Sequence, residues 1–290
     1  MIGERDNSTK YVLILILATM FNATSGIWIR LSGQGPVGTA MWRALIAIPL
    51  LAFAGAKGIK GAPKKDILIM LIAGAFLGGE LIFFNRALVM TSVANANLFG
   101  NLTAVIIVPV SYFLFKEKIP KFFFLGAGIA IIGVIILVNG KADPQPSNYI
   151  GDIYAGIVAL LYGMYILLSY RMRDKYPSSS IMFVASISMF AVLLAASLVL
   201  GEASVPCTAH DWLIIFLYTI FLQVIGLNLS AHCNGHLRVN LSAIISLMQP
   251  VFGGIYSWIL FSEKLSLMEM IGICIVIIGV YLTKREYQKK

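Results

Sequence analysis

The sequence predicts an all-α integral membrane protein of ten transmembrane helices, arranged as two inverted five-helix repeats. Three observations carry that prediction. Of 290 residues, 59% are hydrophobic and only 12% are charged, with a mean hydropathy of +0.88. A soluble domain carries about 25% charged residues, so this composition excludes a sizeable water-soluble domain. The apolar residues fall into ten runs, and a bilayer crossing needs ~20 residues. The chain also aligns with itself at a shift of 146 residues.

The first run follows a polar start with Arg5 and Lys10 and extends over residues 11–31. A charged start resembles a signal peptide, but no small-residue cleavage site closes the run, so it reads as a retained first span. Further spans read at 36–56, 66–90, 93–115, 120–139, 151–169, 178–200, 211–234, 239–261 and 266–283. All are helical by length, because a barrel strand needs only ~9–11 alternating residues. The turn formers gather in short loops at 32–35, 58–63, 141–148 and 201–206. None of these loops can house a domain. The longest lies near the middle, where the halves 1–145 and 146–290 would join.

Charge sets the orientation. With the N-terminus inside, 17 of the 22 Lys and Arg residues fall on cytoplasmic segments. Only Arg30, Lys141 and Lys264 fall outside, while Arg43 and Arg86 lie within spans. Such an asymmetry predicts both termini in the cytoplasm, in a plasma or bacterial inner membrane. The formal charge of +9 is therefore a topology signal, and a nucleic-acid partner is not expected. Cys207, Cys233 and Cys274 are odd in number and scattered, so neither a disulfide framework nor a metal site is expected.

At the 146-residue shift, residues 101–136 align with 247–282 without a gap, and 12 of 36 positions are identical. About three would match by chance at this composition. The matches include Ser111/Ser257, Glu117/Glu263, Lys118/Lys264, Gly126/Gly272 and Gly133/Gly279. A shift of 141 superposes Arg30 on Arg171 and Pro36 on Pro177. Five is an odd number, so the second half enters the membrane from the opposite side. Inverted repeats of this kind open one scaffold alternately to either side of a midplane site.

The junction Leu-Phe-x-Glu-Lys, at 114–118 and again at 260–264, resembles the EamA-type branch of the drug/metabolite transporter superfamily. Pro250, thirteen residues before Glu263, and Arg43, seven after Pro36, fit the same resemblance. It covers nearly the whole chain. It implies a carrier of amino acids, nucleotide sugars, cations or other metabolites, with the substrate near spans 1, 3, 4, 6, 8 and 9. Glu117, Lys118, Glu263, Lys264 and Pro250 read as structural junctions, with the two glutamates open to a part in gating.

Glu80 is the acid deepest in a span, fourteen residues after Asp66 or ~21 Å along a helix. An ionisable group there costs ~2.5–3.5 kcal/mol and so usually faces a cavity or the bundle interior. Gly74, Gly78 and Gly79 let another backbone approach it. Two readings stand side by side: Glu80 binds a substrate amine or a coupling proton, or it is neutralised by Arg43. Asn97 and Asn101 share a face of span 4, and Gln223 and Ser230 a face of span 8. Asn22 lies on span 1, with Tyr162 and Tyr165 on its counterpart, span 6. Asn22, Glu80, Asn97, Asn101, Tyr162, Tyr165 and Gln223 are the candidate substrate-binding residues. Buried amides offer donor and acceptor together, which suits a zwitterion or a sugar.

An enzyme would need a nucleophile–base set or metal ligands. Neither His-Glu-x-x-His nor Gly-x-Ser-x-Gly occurs, so an intramembrane enzyme is the distant alternative. No phosphate-binding glycine loop occurs, and no cofactor is expected. The leading expectation is a monomeric secondary carrier exporting amino acids or related metabolites, proton-coupled or facilitative. The runner-up is a carrier of organic cations with Glu80 as the cation site.

Overall fold

The computed structural model describes residues 9–90, 102–115, 123–140, 148–262 and 265–288. Among these residues every regular element is helical. Helices α1 (Thr9–Ala23) and α2 (Ser25–Leu31) follow one another across Thr24, whose hydroxyl donates to the Phe21 carbonyl at 2.6 Å. Helix α3 (Pro36–Gly55) starts on proline, which suits the first turn because no N–H is needed there. Next come α4 (Lys64–Met90), α5 (Thr103–Phe115) and α6 (Phe123–Asn139).

Helix α7 (Tyr149–Met172) is capped by Asn148, whose side chain accepts from Ile150 N at 3.0 Å. Helix α8 (Ser178–Leu200) stops at Gly201, where φ is +70° and Glu202 N reaches back to Ser197 O at 2.8 Å. Glycine takes that left-handed turn at no steric cost. Thr208 caps α9 (Ala209–Tyr218) by accepting from Asp211 N at 3.0 Å. The chain then winds as a π-helix over Thr219–Leu227 before α10 (Asn228–Asn234). Helices α11 (Val239–Ser246), α12 (Gln249–Phe261) and α13 (Leu267–Gln288) complete the bundle.

Eight helical stretches among the described residues are long and apolar enough to cross a membrane, and two shorter apolar helices lie at Thr103–Phe113 and Phe123–Asn139. The helices are apolar all round, and their outward residues include Phe53 at 93% exposure and Val199 at 86%. Lipid, not water, is the solvent such a surface matches. Inside, Leu15, Ala44, Leu77, Ile107, Met189, Leu222 and Ile244 belong to one continuous core. Where α6 crosses α13 the backbones touch: a Cβ at Gly133 would press on the Val276 backbone, and one at Gly279 on that of Ala130. Small residues allow this close approach, which supplies packing without a hydrophobic driving force.

Loops tie the bundle at both ends of α3, whose 20 residues separate the two ties by ~30 Å. At its N-terminus, Glu202 accepts from Val37 N at 2.8 Å and Gly38 N at 3.2 Å. Beside it, Asp211 accepts from Gly33 N at 3.2 Å, and Trp42 Nε1 donates to Ser204 O at 2.9 Å. At the C-terminus, Ser180 Oγ donates to Gly55 O at 2.7 Å. There Asp66 accepts from Tyr176 OH at 2.8 Å and pairs with Lys175 at 3.1 Å.

Candidate substrate site

Between those two ties the bundle interior holds polar groups that lipid-facing helices do not need. Arg43, on α3, is only 1% exposed, because α3 packs against α8 and the π segment on one side and α4 on the other. Its Nη1 donates to Tyr218 OH at 2.9 Å, and the guanidinium carbon lies 4.8 Å from the Tyr218 ring centroid. Cation–π attraction of this kind strengthens in a desolvated setting. Nε of Arg43 has no hydrogen-bond partner.

Glu80, on α4, is half-buried. Among the described residues its carboxylate forms no ion pair within 4.0 Å with Arg43 or any other cation. The direct Glu80–Arg43 pair that the sequence left open is absent from the structure. Arg43 instead donates Nη1 to the Tyr218 hydroxyl, and its Nε stays unpartnered.

Tyr162 and Tyr165 stack at 5.9 Å on α7, and Tyr165 OH approaches Met182 Sδ at 3.2 Å. Gln223 is fully buried; its Nε2 donates to Ser186 Oγ at 3.1 Å, and its Oε1 has no partner. Asn22 donates from Nδ2 to Ser230 Oγ at 3.1 Å, with its Oδ1 packed over the Cα of Gly226. Gln223 therefore faces α8 while Ser230 faces α1. An α-helical period predicts one shared face for them, and the π-helical winding between them rotates the two apart. Helix segments with i→i+5 bonds are rare and occur frequently at functional sites.

A small cavity of about 30 Å³, room for a water or two, opens beside Tyr162. Thr103, Ile166, Ala243, Ser246, Leu247 and Gln249 line the rest of its wall. Arg43 and Gln223 thus lie where α3, α8 and the π segment meet, while Glu80 lies on α4, which packs against the Tyr162–Tyr165 helix α7, and Asn22 sits on the π segment's other flank. Asn97, Asn101, Glu117, Lys118, Glu263 and Lys264 lie outside the described residues. Pro250 sits in the first turn of α12, where it helps to start that helix after the break at Leu247 and Met248.

Sequence reasoning missed Tyr218, Ser186, Thr103, Ser246 and Gln249. Thr103 and Gln249 are mates in the 146-residue self-alignment, and that pairing was a usable signal for both. It also missed Asn85, only 5% exposed with neither amide atom partnered. No metal-capable group of three or more His, Cys, Asp or Glu occurs among the described residues.

A family model described as "EamA-like transporter family" matches residues 9–139 and 149–285. The "Uncharacterized transporter YetK" of Bacillus subtilis (strain 168) is 26% identical over 252 residues, covering 83% of this chain and 74% of that protein. A "Probable amino-acid metabolite efflux pump" of Salmonella typhimurium is 22% identical over 249 residues, covering 82% and 81%. A solved crystal structure superposes with a TM-score of 0.79 at 20% identity, covering 97% of this chain and 98% of its own, a likeness of fold alone. The apolar helices, the buried polar interior and the family match over almost the full length lead to one conclusion: the chain belongs to the EamA-like transporter family.

Proposed function

We propose that this transporter is a secondary carrier that exports amino acids or closely related small metabolites by alternating access. Ten spans in two inverted repeats, residues 1–145 and 146–290, with both termini cytoplasmic, complete this reading. The observation that carries it is Arg43, 1% exposed with no carboxylate within 4.0 Å, alongside a half-buried Glu80 that pairs with no described cation. Buried charges without partners are costly, so their retention fits a site whose partner is a passing solute. The two successive family-model matches and the self-alignment support the duplicated architecture, and the name of the Salmonella relative supports the substrate class.

No ATP-binding loop is present in the sequence, so transport is driven by a proton gradient or by the substrate's own gradient. Uptake of radiolabelled amino acids by proteoliposomes, with and without an imposed pH gradient, tests the reading. Accumulation above empty liposomes is expected, and its loss in Glu80→Gln while the protein stays folded is expected too. A second reading, a carrier of organic cations, is favoured by the unpaired Glu80 on a helix packed against the one that carries Tyr162 and Tyr165. Uptake of an organic amine but of no amino acid would replace the first reading with the second.

A further inference from the structure

We propose that Arg43 is the receptor for the substrate's carboxylate, with its Nε/Nη2 edge binding the carboxylate while Glu80 takes the ammonium. The substrates are then zwitterionic amino acids, and amines without a carboxylate are poor ligands. This inference rests on the carrier reading above and narrows it to one ligand class. It begins with the charge itself. A guanidinium stays protonated at any physiological pH, and burial raises the cost of leaving it without a counter-ion. Arg43 is 1% exposed, and among the described residues no carboxylate lies within 4.0 Å of it.

The partner it does have is neutral. Tyr218 OH accepts from Nη1 at 2.9 Å, and the Tyr218 ring lies against the guanidinium. That arrangement holds the side chain in place and leaves the Nε edge free, with Nε itself buried and unpartnered. The Nε/Nη2 edge is one of the two forks by which arginine grips a carboxylate through two parallel hydrogen bonds. Lysine cannot reproduce that fork.

Glu80 supplies the complement. Its carboxylate makes no ion pair within 4.0 Å with the Arg43 guanidinium, and its helix, α4, packs against α3, which carries Arg43. An α-amino acid carries both charges on one carbon, so a single solute offers a carboxylate to Arg43 and an ammonium to Glu80. A simple amine would satisfy Glu80 and leave Arg43 as it is. A simple carboxylate would do the reverse.

Binding to the purified full-length protein, read by calorimetry, tests the assignment. The ligands are the twenty amino acids and, for each, the amine that remains when its carboxyl group is removed. The wild type is expected to bind at least one amino acid tenfold or more tightly than its amine. Arg43→Gln is expected to weaken that amino acid by tenfold or more and to leave the amine within twofold, erasing the preference. Glu80→Gln is expected to weaken both.

If Arg43→Gln does not yield monodisperse protein, Arg43→Lys carries the test: it keeps the charge, loses the fork, and should cut the preference several-fold. A preference that survives in the Arg43 variant overturns the assignment while the carrier reading stands. A wild type that binds amines as well as amino acids overturns it in the same way. A wild type that binds no amino acid overturns the carrier reading and this inference together.

Discussion

The two ends of α3 are held through different chemistry: carboxylates take backbone N–H groups at its N-terminus, whereas at its C-terminus Ser180 binds Gly55 O and a carboxylate pairs with side chains of the adjoining loop. At its N-terminus the tie is made to backbone: Glu202 takes the N–H groups of Val37 and Gly38, and Asp211 takes that of Gly33. A carboxylate at a helix N-terminus also meets the positive end of the helix dipole. Trp42 against Trp212, edge to face at 5.2 Å, covers this end. At the C-terminus, Asp66 holds two side chains, Tyr176 and Lys175. Lys175 is 58% exposed, and exposed ion pairs contribute ~0–1 kcal/mol. The difference teaches that the Asp211 end is the firmer closure and the Asp66 end the looser one.

The strongest way to break that comparison is to lock each end in turn. On a Cys207→Ser background, cysteines at Gln34 and Ser204, whose side chains meet at 2.5 Å, should cross-link on oxidation. Cysteines at Ala54 and Ser179 should lock the other end, where Ser179 Oγ donates to Ala54 O at 3.4 Å. Either lock is expected to cut transport tenfold or more, with recovery on reduction. Transport that continues through one locked end would mean that this end never opens.

A smaller effect follows from the cap. Glu202→Ala should destabilise the protein by about 1–2 kcal/mol, the loss expected for a charged helix cap. Asp66→Asn should cost less, about 1 kcal/mol, because it removes a part-exposed ion pair and weakens one hydrogen bond. Thermal unfolding in detergent ranks the two variants, and the reverse ranking would remove the distinction between the ends.

Lys175→Ala should change stability by less than ~0.5 kcal/mol at ordinary salt. The smallest effect is a pH dependence. The hydrogen bond to Asp66 raises the pKa of the Tyr176 phenol above its usual value of 10.0. A raised value means that the Tyr176 contribution is complete below about pH 10 and is lost as the pH rises through the shifted value. The tie at the Asp66 end should therefore loosen only in strong alkali. Tyrosinate absorbance of wild type against Tyr176→Phe checks this, and a phenol titrating at or below 10 would contradict it.

Much of the scaffold was legible because membrane helices obey one-dimensional rules. Lipid demands long apolar runs: the runs read at 36–56 and 178–200 reappear as helices to within a residue, and the run at 239–261 reappears as two helices broken at Leu247 and Met248. The glycines on α6 and α13 were readable too, since a missing Cβ can be used only by a neighbour that comes close. The π-helical turn was not legible. Its residues have no composition of their own, and local winding is decided by what packs beside it. The ties at the ends of α3 were equally hidden, because Glu202 lies 165 residues from Val37 in the chain.

The sequence by itself determined that this protein lives in a bilayer, how its hydrophobic runs are spaced, and that Glu80 and Arg43 are charges whose burial needs a reason. Those properties depend on the solvation of each residue, which its type and its neighbours along the chain decide. Only the tertiary structure decided that Arg43 turns to Tyr218, 175 residues away, and leaves Glu80 unpaired. Hydrogen-bond partners are chosen by distance and direction within a packed interior. A guanidinium offers five N–H donors, so which of them find partners depends on where the fold places each acceptor.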